Sequence, residues 1–126
     1  MKMRIKGDSL RLRVLRSELE RLLAGGRVEE TIHFPGEPYT SLTYALEVAG
    51  GNRETSVSYR PGEIAVAIAA ADARAWSHES QVGIYKEILH NGRAFSLAVE
   101  KDFACLDAAG EDQPDAFANP RHAGVC

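Results

Sequence analysis

The plan of residues 3–48 recurs 54 positions later, and this recurrence limits the fold more than any other feature of the chain. The first copy opens with Met3-Arg4-Ile5-Lys6-Gly7-Asp8-Ser9-Leu10-Arg11-Leu12-Arg13-Val14, apolar and polar residues alternating on both sides of Gly7-Asp8. Period-two alternation marks strands, and a two-residue turn that begins with Gly suits a type II′ hairpin. That turn sets Ile5 opposite Leu10 and Met3 opposite Leu12, with Lys and Arg on the other face. Ser17-Glu18-Leu19-Glu20 then reads as a capping box at the start of a short helix. Its apolar face is Leu19, Leu22 and Leu23, and Gly25-Gly26 ends it. A strand follows over 28–34, and Leu42, Tyr44, Leu46 and Val48 form the inner face of another beyond Pro35-Gly36 and Pro38.

In the second copy Val57 and Tyr59 stand for Met3 and Ile5, and Pro61-Gly62 for the turn. Ile64, Val66 and Ile68 stand for Leu10, Leu12 and Val14. Asp72 begins a short helix in which Trp76 takes the place of Leu22. Val82, Ile84 and Ile88 lie on the next strand, Asn91-Gly92 makes a turn, and Phe95, Leu97 and Val99 close the unit. Neither copy alone can hide its apolar strand faces, whereas two packed together can. The expected fold is therefore α+β and mainly antiparallel, a β sandwich or barrel of two ββαββ units related by a pseudo-twofold axis. The chain reads as one domain over 1–126, with units at 3–48 and 57–101 and an irregular acidic tail over 102–126.

A chain of 126 residues, 44% hydrophobic and 26% charged, can bury a core without staples and is not disordered throughout. Its formal net charge of −3 argues against a dedicated nucleic-acid binder. No apolar run reaches the length of a bilayer span, and the basic, alternating start lacks the apolar stretch of a secretory signal. The expected location is the cytoplasm. Two cysteines are too few for a disulfide scaffold.

Met1-Lys2-Met3-Arg4-Ile5-Lys6-Gly7 with Arg11-Leu12-Arg13 and Ser17-Glu18 resembles a family of small bacterial proteins of unknown function. The resemblance continues in Val99-Glu100-Lys101-Asp102-Phe103, Cys105, Glu111-Asp112-Gln113, Asp115, Phe117 and Asn119-Pro120. Tails in that family often carry Pro-Asn-Pro, and Ala118 stands here in place of the first proline. Arg121 to Cys126 look like an extension of this chain alone. The resemblance implies a defined fold to which the tail belongs, and it implies no activity.

Three features could carry function. The first is the basic face of the opening hairpin, where Lys2, Arg4, Lys6, Arg11 and Arg13 project from one side. Like charges on paired strands repel, so something must offset them. Solvent and salt can do so, as can a phosphate-bearing ligand or RNA, or the tail carboxylates Asp107, Glu111, Asp112 and Asp115. The matching face of the second unit, Ser58, Arg60, Glu63, Ala65 and Ala67, suits close packing and a homodimer contact.

The second feature is the tail itself. Cys105, Asp112, Asp115, His122 and Cys126 are ligand types for zinc or another transition metal. Their spacing is not that of a structural zinc site, and a buried Cys105 with Asp112 and Asp115 in turns explains them as well. Third, His33 on its strand and Glu87 on the equivalent strand could share a site near the pseudo-twofold axis, or simply face solvent. His78 follows the second helix, and His90 adjoins Asn91-Gly92.

Catalytic templates are missing: no nucleophile elbow, P-loop, His-Glu-x-x-His or dinucleotide fingerprint occurs. The residues point away from an enzyme. They favour a binding or accessory protein whose basic face takes an anionic ligand or an acidic protein surface, with a metal-binding tail as the alternative. Phe103, Leu106 and Phe117 are expected to anchor the tail to the body, and Glu100, Lys101 and Asp102 to form a surface charge cluster.

Overall fold

The structure is a computed structural model that describes residues 1–38, 40–103, 115 and 117. Its elements run β1 (Lys2–Lys6), β2 (Ser9–Val14), α1 (Arg16–Leu23), β3 (Val28–Phe34), β4 (Thr40–Val48), β5 (Ser56–Arg60), β6 (Glu63–Ile68), α2 (Ala70–Trp76), β7 (Gly83–His90) and β8 (Arg93–Lys101). The described residues are thus mostly strand, with two short helices.

Each expected hairpin forms. Ile5 pairs with Leu10 and Met3 with Leu12, around a turn in which Gly7 has φ of 53°. Only a residue without Cβ adopts that angle readily, which is why glycine opens the turn. At the last hairpin Asn91 and Gly92 both have positive φ, at 49° and 75°, as a type I′ turn requires.

The hairpins assemble into two four-stranded sheets, with orders β1-β2-β8-β7 and β3-β4-β6-β5. Here the expectation needs correction. The central pairs, β2 with β8 and β4 with β6, run parallel, so both sheets are mixed. Neither is closed into a barrel, since β1 and β7 edge the first sheet and β3 and β5 the second. Turn chemistry dictates the antiparallel pairing inside a hairpin. Contact between hairpins distant in sequence has no such local signal.

One apolar core joins both sheets and both helices. Leu10, Leu12, Val14, Leu97 and Val99 come from the first sheet, and Leu46, Val66 and Ile68 from the second. Leu19, Leu22, Ala73 and Trp76 come from the helices. Trp76 is fully buried and its indole N–H donates to the Val82 carbonyl at 3.1 Å, so its one polar atom is satisfied. Each fully buried aliphatic side chain contributes roughly 1.5–3 kcal/mol relative to exposure.

Both helix starts differ from expectation. In α1, Ser17 lies in the first turn. The helix is capped instead by Glu18, whose carboxylate accepts the Leu15 N–H at 2.8 Å. The C-terminal end is a Schellman turn, with Gly26 N–H donating to Arg21 at 2.8 Å and Gly25 N–H to Leu22 at 3.0 Å. In α2, Asp72 is likewise inside the first turn. Thr55 is the outside partner: its hydroxyl accepts the Ala69 N–H at 2.8 Å and donates to Asp72 at 2.7 Å.

The described tail residues return to the body. Asp115 accepts the Arg16 N–H at 3.0 Å, and Phe117 N–H donates to Asp102 at 2.9 Å. Phe103 and Phe117 bridge in parallel, with ring centroids 6.0 Å apart. These two aromatics anchor the tail as expected, while Leu106 lies outside the described residues.

Candidate functional site

Strand register assembles the outer face of the first sheet in three rows. Lys2, Arg13, Glu100 and Gly83 form one row across β1, β2, β8 and β7. Arg4, Arg11, Ala98 and Tyr85 form the next, and Lys6, Ser9, Ser96 and Glu87 the third. All five expected cations therefore share one face, with Arg4 directly opposite Arg11 and Lys2 opposite Arg13.

Their countercharges come from β8 and from the residue that follows it. Glu100 on β8 receives Arg11 Nε at 3.3 Å and Arg13 Nε at 3.5 Å, while Asp102 receives Lys2 Nζ at 3.2 Å. Of the tail carboxylates expected across this face, Asp115 sits instead at the start of α1, and Asp107, Glu111 and Asp112 lie outside the described residues. Among the described residues, five cations thus face three carboxylates on this side, Glu100, Asp102 and, on β7, Glu87. The side chains of Arg11 and Arg13 remain more than 40% exposed, whereas that of Glu100 is 14% exposed.

Glu100 also accepts the Tyr85 hydroxyl at 2.6 Å. Burial, then this bond and the charge of Glu100, push the Tyr85 phenol up to about 12. At neutral pH it is a donor and cannot serve as a base. Small residues on the two central strands leave a trough of about 400 Å³ over the β2–β8 pair. Ser9, Ser96 and Ala98 are its floor, Arg11 stands at one side, and Tyr85 and Glu87 at the other. The chemistry on offer is recognition: planar guanidinium forks suit carboxylate and phosphate oxygens, and ammonium groups add point charge.

The outer face of the second sheet is different. Arg27 reaches Glu29 at 3.1 Å, Glu63 at 3.1 Å and Glu47 at 3.8 Å, and Arg60 pairs with Glu63 at 2.9 Å. Ser58, Ala65 and Ala67 share this face, the one expected to suit a second copy.

Of the five expected metal ligands, Cys105, Asp112, His122 and Cys126 lie outside the described residues. The Asp115 carboxylate accepts the Ser17 N–H at 3.2 Å and the Ser17 hydroxyl, so it serves the start of α1. Among the described residues no three His, Cys, Asp or Glu side chains gather as a metal site would require. His33 and Glu87 lie on edge strands of different sheets. The His78 carbonyl accepts the Lys101 ammonium at 2.8 Å, and His90 pairs with Arg93 beside its turn.

Two features of this region escaped the sequence. Glu100 is the hub of the basic face rather than part of a surface cluster, and Lys101 beside it is buried. Alternation along β8 already separates these neighbours onto opposite faces. What it cannot reveal is that β2 lies alongside in parallel.

Comparison with known proteins agrees with the resemblance of the end motifs. The chain belongs to DUF7009, a family of unknown function. The family model matches residues 1–121. No curated protein and no solved structure matches the chain. The DUF7009 match takes in every residue of the basic face and stops before His122 and Cys126, two of the five candidate metal ligands. No helix among the described residues is long and apolar enough to cross a membrane.

Proposed function

We propose that this DUF7009 member is a non-enzymatic binding or accessory protein whose basic face takes an anionic ligand or an acidic protein surface. The observation that carries this reading is the register of β1 against β2, which puts Lys2, Arg4, Lys6, Arg11 and Arg13 on one side against Glu87, Glu100 and Asp102 among the described residues. Holding like charges opposite one another costs stability, and a bound anion offsets that cost. Arg4, Arg11 and Arg13 act as the bidentate contacts, with Lys2 and Lys6 as point charges.

We also read the architecture as an internal duplication, a single domain whose two units exchange hairpins to build a sandwich of two sheets. The element order supports this: hairpin, helix and hairpin recur in sequence, and each sheet joins a first hairpin to the other unit's second hairpin.

The test is titration with short inorganic polyphosphate and with poly-glutamate, as phosphate and carboxylate probes, for the protein and for Arg4→Glu/Arg13→Glu. The expected result is binding that weakens as salt is raised and falls at least about tenfold, roughly 1.4 kcal/mol, in the variant. Thermal stability should be kept. Equal binding by the variant, or no binding of either probe at low salt, refutes the proposal.

A further inference from the structure

A separate cavity of about 720 Å³ lies between α1, the end of α2 and the aromatic pair Phe103 and Phe117. Its size is that of pockets which enclose small ligands. Leu19, Leu23, Phe103 and Phe117 supply apolar lining, and Arg16, Glu20, Ser77 and Glu79 are exposed around it. Lys101 also lines it and is the only buried charged residue among those described, at 5% exposure.

A buried ammonium is expensive unless its donors find partners. The described structure gives Lys101 Nζ one hydrogen-bond acceptor, the His78 carbonyl at 2.8 Å, and places it 5.5 Å from the centroid of the Phe117 ring. An ammonium has three N–H donors, so one carbonyl leaves capacity unused. Burial depresses the Lys101 ammonium, and the more distant charge of Glu79 only partly restores it. Nor does the sheet require a lysine here. Lys101 ends the parallel β2–β8 pair opposite Val14, whereas the β4–β6 pair ends in Val48 opposite Ile68.

We propose that this cavity binds a small amphiphilic carboxylate, its headgroup on Lys101 and its hydrocarbon along Leu19, Leu23, Phe103 and Phe117. Apolar walls alone would accept any greasy molecule. A cation within them selects one that carries a single negative charge. Arg16, 5.8 Å from the Phe117 centroid, adds positive charge near the opening and offsets one of the two exposed carboxylates. The site shares no residue with the basic face.

The experiment uses decanoate and the neutral 1-decanol as probes, followed by NMR shifts of the whole protein. Decanoate should saturate below about 1 mM and shift Leu19, Leu23, Phe103 and Phe117, with decanol at least about tenfold weaker. Leu23→Glu, at a side chain 46% exposed, should keep the fold and weaken decanoate at least about tenfold. Lys101→Met, where it folds, should erase the preference for decanoate over decanol. Arg4→Glu/Arg13→Glu should bind decanoate unchanged, so failure of the basic-face reading is distinguishable from failure of this one. Absence of saturable shifts at these residues, equal affinity for the two probes, or no effect of Leu23→Glu overturns the proposal.

Discussion

Two residues added ahead of Met1 should destabilise this protein substantially. Met1 is buried at 9% exposure, and its ammonium lies 2.7 Å from Glu18 and 2.8 Å from Glu30. Extension converts it to a neutral amide with one N–H, which can serve at most one of these carboxylates. Hydrogen bonds to charged groups contribute about 1.5–3 kcal/mol each. Glu30 is 46% exposed and regains water when released, so its share is small. Glu18 is 12% exposed and keeps only the Leu15 N–H, so most of the loss falls there. The expected total is about 2–3 kcal/mol, or roughly 6–18 °C in Tm for a domain of this size.

The pH dependence gives a second check. Burial pulls the amine down, but hydrogen bonds and charge from Glu18 and Glu30 outweigh it and raise the group above its ordinary 8.0. A raised value means that the stabilisation is complete below the unfolded pKa and is lost as pH rises through the folded one. The assay is thermal unfolding near pH 7 and near pH 10 of protein starting at Met1 and of protein with Gly-Ser ahead of it. The gap in Tm should be large at the lower pH and narrow at the higher. Equal Tm values within about 1 °C near pH 7, or a gap that does not narrow, refutes the reasoning.

Two further substitutions test how the frame is held. Gly83→Ala would put a Cβ 2.8 Å from the Val99 carbonyl oxygen and 3.0 Å from the Tyr85 hydroxyl. Backbone cannot yield there, so denaturant midpoints should fall by the equivalent of about 1–3 kcal/mol. Thr55→Val removes the hydroxyl that links Ala69 to Asp72 and should cost about 1–2 kcal/mol, with Thr55→Ser recovering most of it.

Hairpins were the legible part of this fold, because alternation and turn residues are both local. Gly7-Asp8 and Asn91-Gly92 specify their turns, and the pairing of Ile5 with Leu10 follows by counting. Helix positions were legible too, but their starts were not. Ser17 and Asp72 have the chemistry of caps, yet the groups that matter, Glu18 and Thr55, depend on which loops come near. The cations of the basic face could be named from spacing alone. Glu100 could not be assigned to them, since the parallel pairing of β2 with β8 joins residues 87 positions apart. Lys101 misled for a similar reason: in a run of Glu100, Lys101 and Asp102 a charged residue reads as exposed, and only the folded chain shows it beneath Phe117.

The two sheets provide an internal control on whether the basic face is a requirement of folding. Arg11 and Ala98 are partners across the central pair of the first sheet, and Ala65 and Ala45 across that of the second. Arg13 meets Glu100 where Ala67 meets Glu47. In the second sheet Glu47 is reached instead by Arg27, one guanidinium shared among Glu29, Glu47 and Glu63. In the first, the residue opposite Glu100 is Gly83, which leaves room for the Tyr85 hydroxyl beside the carboxylate. The same strand arrangement is therefore built once with its carboxylates in excess over cations and once with cations in excess over carboxylates. Packing and hydrogen bonding tolerate either, so the fold does not demand the positive excess on β1 and β2. Charge that the frame does not need, arranged on a face with a trough beside it, is what the proposed binding of an anion calls for.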